Sequence, residues 1–146
     1  MPERLRPLLW PLLFLVVGAI VYVARVQEEM VDFEVYRTAA ERALERQPLY
    51  QATDGHYQFK YLPIFALAMV PFAMLDREAA KVLWFALSAG LLTAFLRWSV
   101  RGLPERRRPE GTLLWLTVLF MAKFYAHELA LGQTNILLGV LLVGGL

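Results

Sequence analysis

Residues 8–26 read LLWPLLFLVVGAIVYVARV, and the run from 8 to 24 carries no charge. The hydrocarbon core of a bilayer is about 30 Å thick and takes about 17–25 helical residues to cross. This stretch is therefore long enough for a transmembrane helix. Pro11 falls near its first turn, where a missing amide donor costs little. Arg4 and Arg6 precede the run and mark its cytoplasmic end by the positive-inside bias, so the chain is expected to emerge outside near Arg25. A signal peptide opens the same way, but no small-x-small cleavage site stands in 19–25 and further apolar segments follow, which favours an uncleaved first span.

The rest of the chain carries the same signature. Of 146 residues, 58% are hydrophobic and 19% charged, and the charges cluster between apolar stretches instead of spreading over a wettable surface. The net charge of +2 comes from Arg clusters beside apolar runs, which suits anionic lipid headgroups, and no nucleic-acid partner is expected. There is no cysteine, which removes disulfides, thiolate metal sites and cysteine nucleophiles.

Residues 27–57 are polar, yet Phe33, Tyr36, Ala40, Ala43 and Leu44 recur at three- and four-residue steps, which predicts an amphipathic surface helix over about 33–46. Asp32 is placed to cap it, Arg37 and Glu41 to pair across one turn, and Gln47-Pro48 to end it. Residues 61–75 are apolar but short for a span and are broken by Pro63 and Pro71. If they crossed, the next apolar run, 79–97, would return outward and leave Arg97, Arg101, Arg106, Arg107 and Arg108 outside, against the positive-inside bias. If they re-enter from the outer side, that Arg-rich loop becomes cytoplasmic, and a cavity must cover their irregular backbone. The second reading is preferred. The expected layout is then spans at about 8–26, 79–97, 111–126 and a truncated 136–146, with an extracytoplasmic loop over 27–78. The last span breaks off early, and the chain is expected to be the N-terminal part of a longer polytopic protein.

With that layout, the polar residues of interest share one side of the membrane. Asp32, just after the first span, suits either a helix cap or a general base at the water–lipid boundary. Glu34 reads as part of the solvated face. Lys60, in YQFKYLP (57–63), reads as an anchoring lysine in an aromatic belt or as a phosphate contact. Lys123 stands within an apolar run with His127 one turn later, so both share a helix face, as function or as anchor. His127, Glu128, Gln133 and Asn135 form a polar run between apolar helices. Gln133 and Asn135 do no acid–base work and would hydrogen-bond a polar ligand such as a sugar. No metal site is expected from spacing, and the phosphate-loop, serine-elbow and zinc-protease signatures are missing.

Together, DFEVYRTAA (32–40), PLY (48–50), YQFKYLP (57–63) and HELALGQTN (127–135) resemble glycosyltransferase family 87, the bacterial polyprenol-phosphate-mannose-dependent mannosyltransferase-like family of GT-C fold. The resemblance implies an all-α integral membrane protein, a polytopic helical bundle with amphipathic and re-entrant helices in its first extracytoplasmic loop. It implies an enzyme of the bacterial plasma membrane with its N-terminus cytoplasmic and its active site outside. Asp32 matches the catalytic acid, which would take a proton from an acceptor hydroxyl as that hydroxyl displaces a polyprenyl phosphate from a mannose-like sugar, with inversion. Lys60, Lys123 and His127 would offset charge on the leaving phosphate, and Tyr36, Tyr61, Glu128, Gln133 and Asn135 would hold sugar or acceptor. The implied partners are the lipid-linked donor, a lipid or glycan acceptor and membrane lipids. No cofactor is implied, and a divalent metal stays open. Family members are longer, so this stretch alone is expected to be inactive. The contrasting reading is a non-catalytic polytopic protein, a transporter fragment or complex subunit, in which the same residues are caps, belts and loop contacts.

Overall fold

The computed structural model describes residues 20, 22–26, 28 and 30–145, so most of the expected first span lies outside the described residues. All regular structure among the described residues is helical. A π-helical turn (Tyr22–Val26) precedes α1 (Val31–Leu44), and a 3-10 turn (Ala52–Tyr57) follows it. Then come α2 (Pro63–Ala68), α3 (Val70–Ala73), α4 (Arg77–Arg101), α5 (Glu110–Leu131) and α6 (Asn135–Gly144).

Helix α1 buries Phe33, Tyr36, Ala39 and Ala40, the three- and four-residue stripe legible in the sequence, whereas Leu44, expected on that face, is exposed. Arg37 Nε lies 3.2 Å from Glu41 Oε1, and its guanidinium also donates to the Leu75 carbonyl at 3.2 Å, tying α1 to the end of the next segment. The helix stops at Leu44, ahead of Gln47-Pro48. Arg46 takes φ 57°, and the Gln47 amide turns back to the Arg42 carbonyl at 2.8 Å.

The apolar segment 61–75 is broken into α2 and α3, each with its proline in the first turn. Pro71 has no N–H to donate to the carbonyl four residues back, so one helix cannot run through it. Both short helices fold against α1. Ala66 and Met69 are fully buried, Phe72 meets Phe33 edge-on at 6.3 Å, and Phe65 meets Tyr36 edge-on at 5.1 Å. Such aromatic pairs contribute about 0.5–1.5 kcal/mol each beyond their buried area.

Helix α4 begins where Asp76 accepts the Glu78 and Ala79 amides at 3.1 and 3.3 Å. Its 25 residues and the 22 of α5 make both helices long and apolar enough to cross a membrane. At a rise of about 1.5 Å per residue they extend about 37 and 33 Å. Arg101 and Arg106 close on Glu110 at 3.2 and 3.5 Å across the Arg-rich connection. No residue of α5 is buried, and Trp115, Leu119, Phe120 and Phe124 stand exposed along it. Helix α6 returns against α4 with Gly139 on the Phe95 ring and Gly144 on the Trp98 ring, the close approach that small residues allow between apolar helices. The core gathers where α1, α3 and α4 meet, around Val26, Met30, Phe33, Tyr36, Met69 and Trp84.

Candidate active site

The turn between α5 and α6 decides the geometry of the site. Gly132 ends α5 with φ 71°, a left-handed conformation that L side chains adopt only with strain. A Cβ there would lie 2.9 Å from Phe33 Cβ and 3.1 Å from Met30 Cε, so the turn is pressed against the start of α1. The buried Trp84 indole of α4 donates to the Gly132 carbonyl at 2.8 Å. Three helices are thereby locked at one point, and Gln133 and Asn135 are carried to the side of α1 that bears Asp32.

A cleft of about 480 Å³ opens there. One wall is α1 with Asp32 and Tyr36, the second is the 56–61 strip with Lys60 and Tyr61, and the third is the 131–135 turn with Gln133 and Asn135. Six of the residues singled out in the sequence, drawn from three separated segments, thus line one space.

Asp32 does not cap α1. The cap position is Met30, with no side-chain cap bond, and Asp32 lies inside the first turn. The half-buried Asp32 carboxylate lines the cleft and has no hydrogen-bond or ion-pair partner among the described residues. Tyr36, one turn on, shares a hydrogen bond with Tyr61 hydroxyl to hydroxyl at 3.1 Å, and Thr134 Oγ1 donates to the Tyr61 hydroxyl at 3.3 Å. This chain stitches all three walls. Burial, and then the Tyr61 bond, raises the Tyr36 phenol well above its ordinary value, so Tyr36 stays neutral as a positioning hydroxyl.

Asn135 Nδ2 donates to both Gln133 Oε1 and Glu128 Oε1 at 2.9 Å, which sets the amide orientations at the mouth of the turn. Glu128 therefore borders the cleft through Asn135, and its Oε2 is buried without a partner among the described residues. Lys60 is exposed on the rim and makes no ion pair among the described residues. Lys123 and His127 are exposed on α5 and are not among the lining side chains. No group of three or more His, Asp or Glu able to hold a metal ion occurs among the described residues.

The sequence reading missed His56 and Gln58, which also line the cleft from a polar strip that carries no periodic signal. Glu34 is not on a solvated face. It receives Arg77 Nε at 2.7 Å and Lys81 Nζ at 3.2 Å, with Lys81 only 3% exposed. Lys81 had a signal of its own, an ionisable residue in an apolar helix, which rarely stands without a partner.

Comparison with known proteins bears on the same residues. The family model of glycosyltransferase family 87 matches residues 59–146. The chain belongs to glycosyltransferase family 87. It is also 31% identical to a polyprenol-phosphate-mannose-dependent α-(1-2)-phosphatidylinositol mannoside mannosyltransferase of Mycobacterium tuberculosis, over 94% of this chain and 38% of that protein. The chain thus spans well under half the length of that relative. No solved structure matches it. Within this family 87 chain, Lys60, Tyr61, Gln133 and Asn135 lie inside the matched region, while Asp32 and Tyr36 precede it.

Proposed function

We propose that the protein is a membrane glycosyltransferase that moves a mannose-like sugar from a polyprenyl phosphate to a hydroxyl of a lipid or glycan acceptor. Family membership and the mannosyltransferase relative support the reaction class. The observation that carries the mechanism is the cleft, where a carboxylate and a lysine, each without an ion-pair partner among the described residues, meet hydroxyl and amide side chains suited to a sugar. Asp32 takes the proton of the acceptor hydroxyl as its oxygen attacks the anomeric carbon. The bond from that carbon to the phosphate oxygen breaks, the electron pair leaves with the polyprenyl phosphate, and the sugar inverts. A positioned general base of this kind supplies about 10²–10⁴ in rate.

Lys60 offsets the charge growing on the departing phosphate, an effect that strengthens as bound lipid excludes water. Lys123 and His127 lie outside the cleft, and the proposal gives the phosphate to Lys60. Tyr36, Tyr61, Gln133 and Asn135 hold sugar hydroxyls, with Glu128 orienting Asn135. The positive-inside bias of the 97–108 loop supports a cleft on the extracytoplasmic side of the bacterial plasma membrane, with α2 and α3 as a re-entrant pair.

Stereochemistry tests the mechanism. Full-length protein given a polyprenyl-phosphate-linked sugar of known anomeric configuration should yield a product of the opposite configuration, read by NMR. Retention of configuration would rule out single in-line displacement with Asp32 as base.

A further inference from the structure

Beside the cleft, on the adjoining face of α1, lies a second cavity of about 390 Å³, within the size range of about 300–1,000 Å³ common for ligand pockets. It adjoins the cleft, since Val31, Val35 and Tyr57 line both. Its charged lining balances, with Arg42, Arg77 and Lys81 against Glu28, Glu34 and Asp54. The cations are already engaged. Arg42 holds Asp54 through two parallel bonds of 2.6 and 2.7 Å, and Arg77 and Lys81 both close on Glu34 Oε1.

An anionic ligand would have to displace those carboxylates and would face Glu28 as well. Lys60, which makes no ion pair among the described residues, is in the cleft instead. Polar atoms of the second cavity remain open among the described residues. Glu34 Oε2 and Thr38 Oγ1, one turn apart on α1, make no hydrogen bond among the described residues. A carboxylate oxygen accepts, a hydroxyl both donates and accepts, and the paired cations hold the carboxylate in place before any ligand arrives. Tyr57 and Phe59 add aromatic faces.

From this lining we infer that the second cavity binds the neutral, hydroxyl-rich head of the acceptor, a sugar or cyclitol ring. The reacting hydroxyl reaches over the Val31–Val35 ridge to Asp32, while donor sugar and phosphate occupy the cleft. The inference rests on the proposed transfer reaction and assigns the acceptor its own subsite. Binding energy from this remote part of the acceptor would serve to orient the hydroxyl that reacts.

The test uses full-length protein in nanodiscs and a binding readout that needs no catalysis. Thr38 is exposed on α1, so Thr38→Phe fills the cavity without entering the core, and Thr38→Ser keeps the hydroxyl. The probes are methyl α-mannobioside, followed by saturation-transfer NMR, and polyprenyl phosphate, followed by its effect on intrinsic fluorescence. Wild type and Thr38→Ser should bind the disaccharide, and Thr38→Phe should bind it about ten-fold or more weakly, as expected when two hydrogen bonds are blocked. All three should bind polyprenyl phosphate alike. Disaccharide binding that is unchanged in Thr38→Phe, or missing in wild type, overturns the assignment. Loss of polyprenyl phosphate in Thr38→Phe does so too, by placing the phosphate in this cavity. A protein that binds the disaccharide at Thr38 yet transfers no sugar would sink the transferase reading and leave the cavity's ligand class standing.

Discussion

Gly132→Ala tests whether the packed turn between α5 and α6 holds the site together. The backbone there has φ 71°, and an L residue in the left-handed region costs about 1–2 kcal/mol. The added Cβ would meet Phe33 Cβ at 2.9 Å. That atom is the root of a fully buried side chain and cannot swing aside, so α1 or the turn must shift. Overpacking of this kind costs about 1–3 kcal/mol, for a combined loss of about 2–5 kcal/mol. Equilibrium unfolding of full-length protein in mixed micelles, followed by tryptophan fluorescence, reads this directly. Gly90→Ala is the matched control, since its Cβ meets nothing within 4 Å in the middle of α4, and it should be neutral or stabilise by up to about 1 kcal/mol. Sugar transfer should fall with Gly132→Ala because Gln133 and Asn135 move with the turn. A Gly132→Ala protein that unfolds like the control would refute the claim that this contact organises the three walls.

Trp84→Phe keeps the ring but leaves the buried Gly132 carbonyl without its 2.8 Å donor, and stability should fall by about 1–3 kcal/mol in the same unfolding assay. Lys81→Met removes a buried ammonium and leaves Glu34 paired with Arg77; it should destabilise by about 1–3 kcal/mol, with partial recovery in the Glu34→Gln/Lys81→Met double variant. The Arg42 hydrogen bond, followed by the charge of Arg42, lowers the Asp54 carboxyl in the folded protein below its ordinary 3.8. The clamp on the 52–57 turn is therefore fully present above pH 3.8 and is lost as pH falls through the lowered folded value. The gap in thermal midpoint between wild type and Asp54→Asn should close over that acid range, and a gap that persists there would contradict the clamp.

The parts of the fold visible in the sequence are those where a single segment's pattern decides the outcome. The stripe of Phe33, Tyr36 and Ala40 announces α1, and the paired prolines announce the break between α2 and α3. The apolar runs 79–97 and 111–126 lie within α4 and α5, but α5 continues to Leu131. Polar His127 and Glu128 do not stop a helix, whereas Gly132, in its left-handed conformation, does. Six residues that line the candidate cleft were legible one by one, but their geometry was not. That Asp32 lies inside the first turn, that Glu34 faces Lys81, and that Lys123 and His127 lie outside the cleft all depend on how α1 is rotated against α4 and α5. That rotation is set by Trp84, Phe33 and Gly132, residues far apart in sequence.

The central claim, that Asp32 is the base of a lipid-linked sugar transfer, is tested most directly in the full-length protein reconstituted with radiolabelled polyprenyl-phosphate-mannose and a membrane-lipid acceptor extract. Wild type and Asp32→Asn are compared at matched expression, with folding checked by the unfolding assay. The account predicts transfer by wild type and a loss of about 10²–10⁴-fold in the folded Asp32→Asn variant. Equal transfer by both proteins would remove Asp32 from the mechanism.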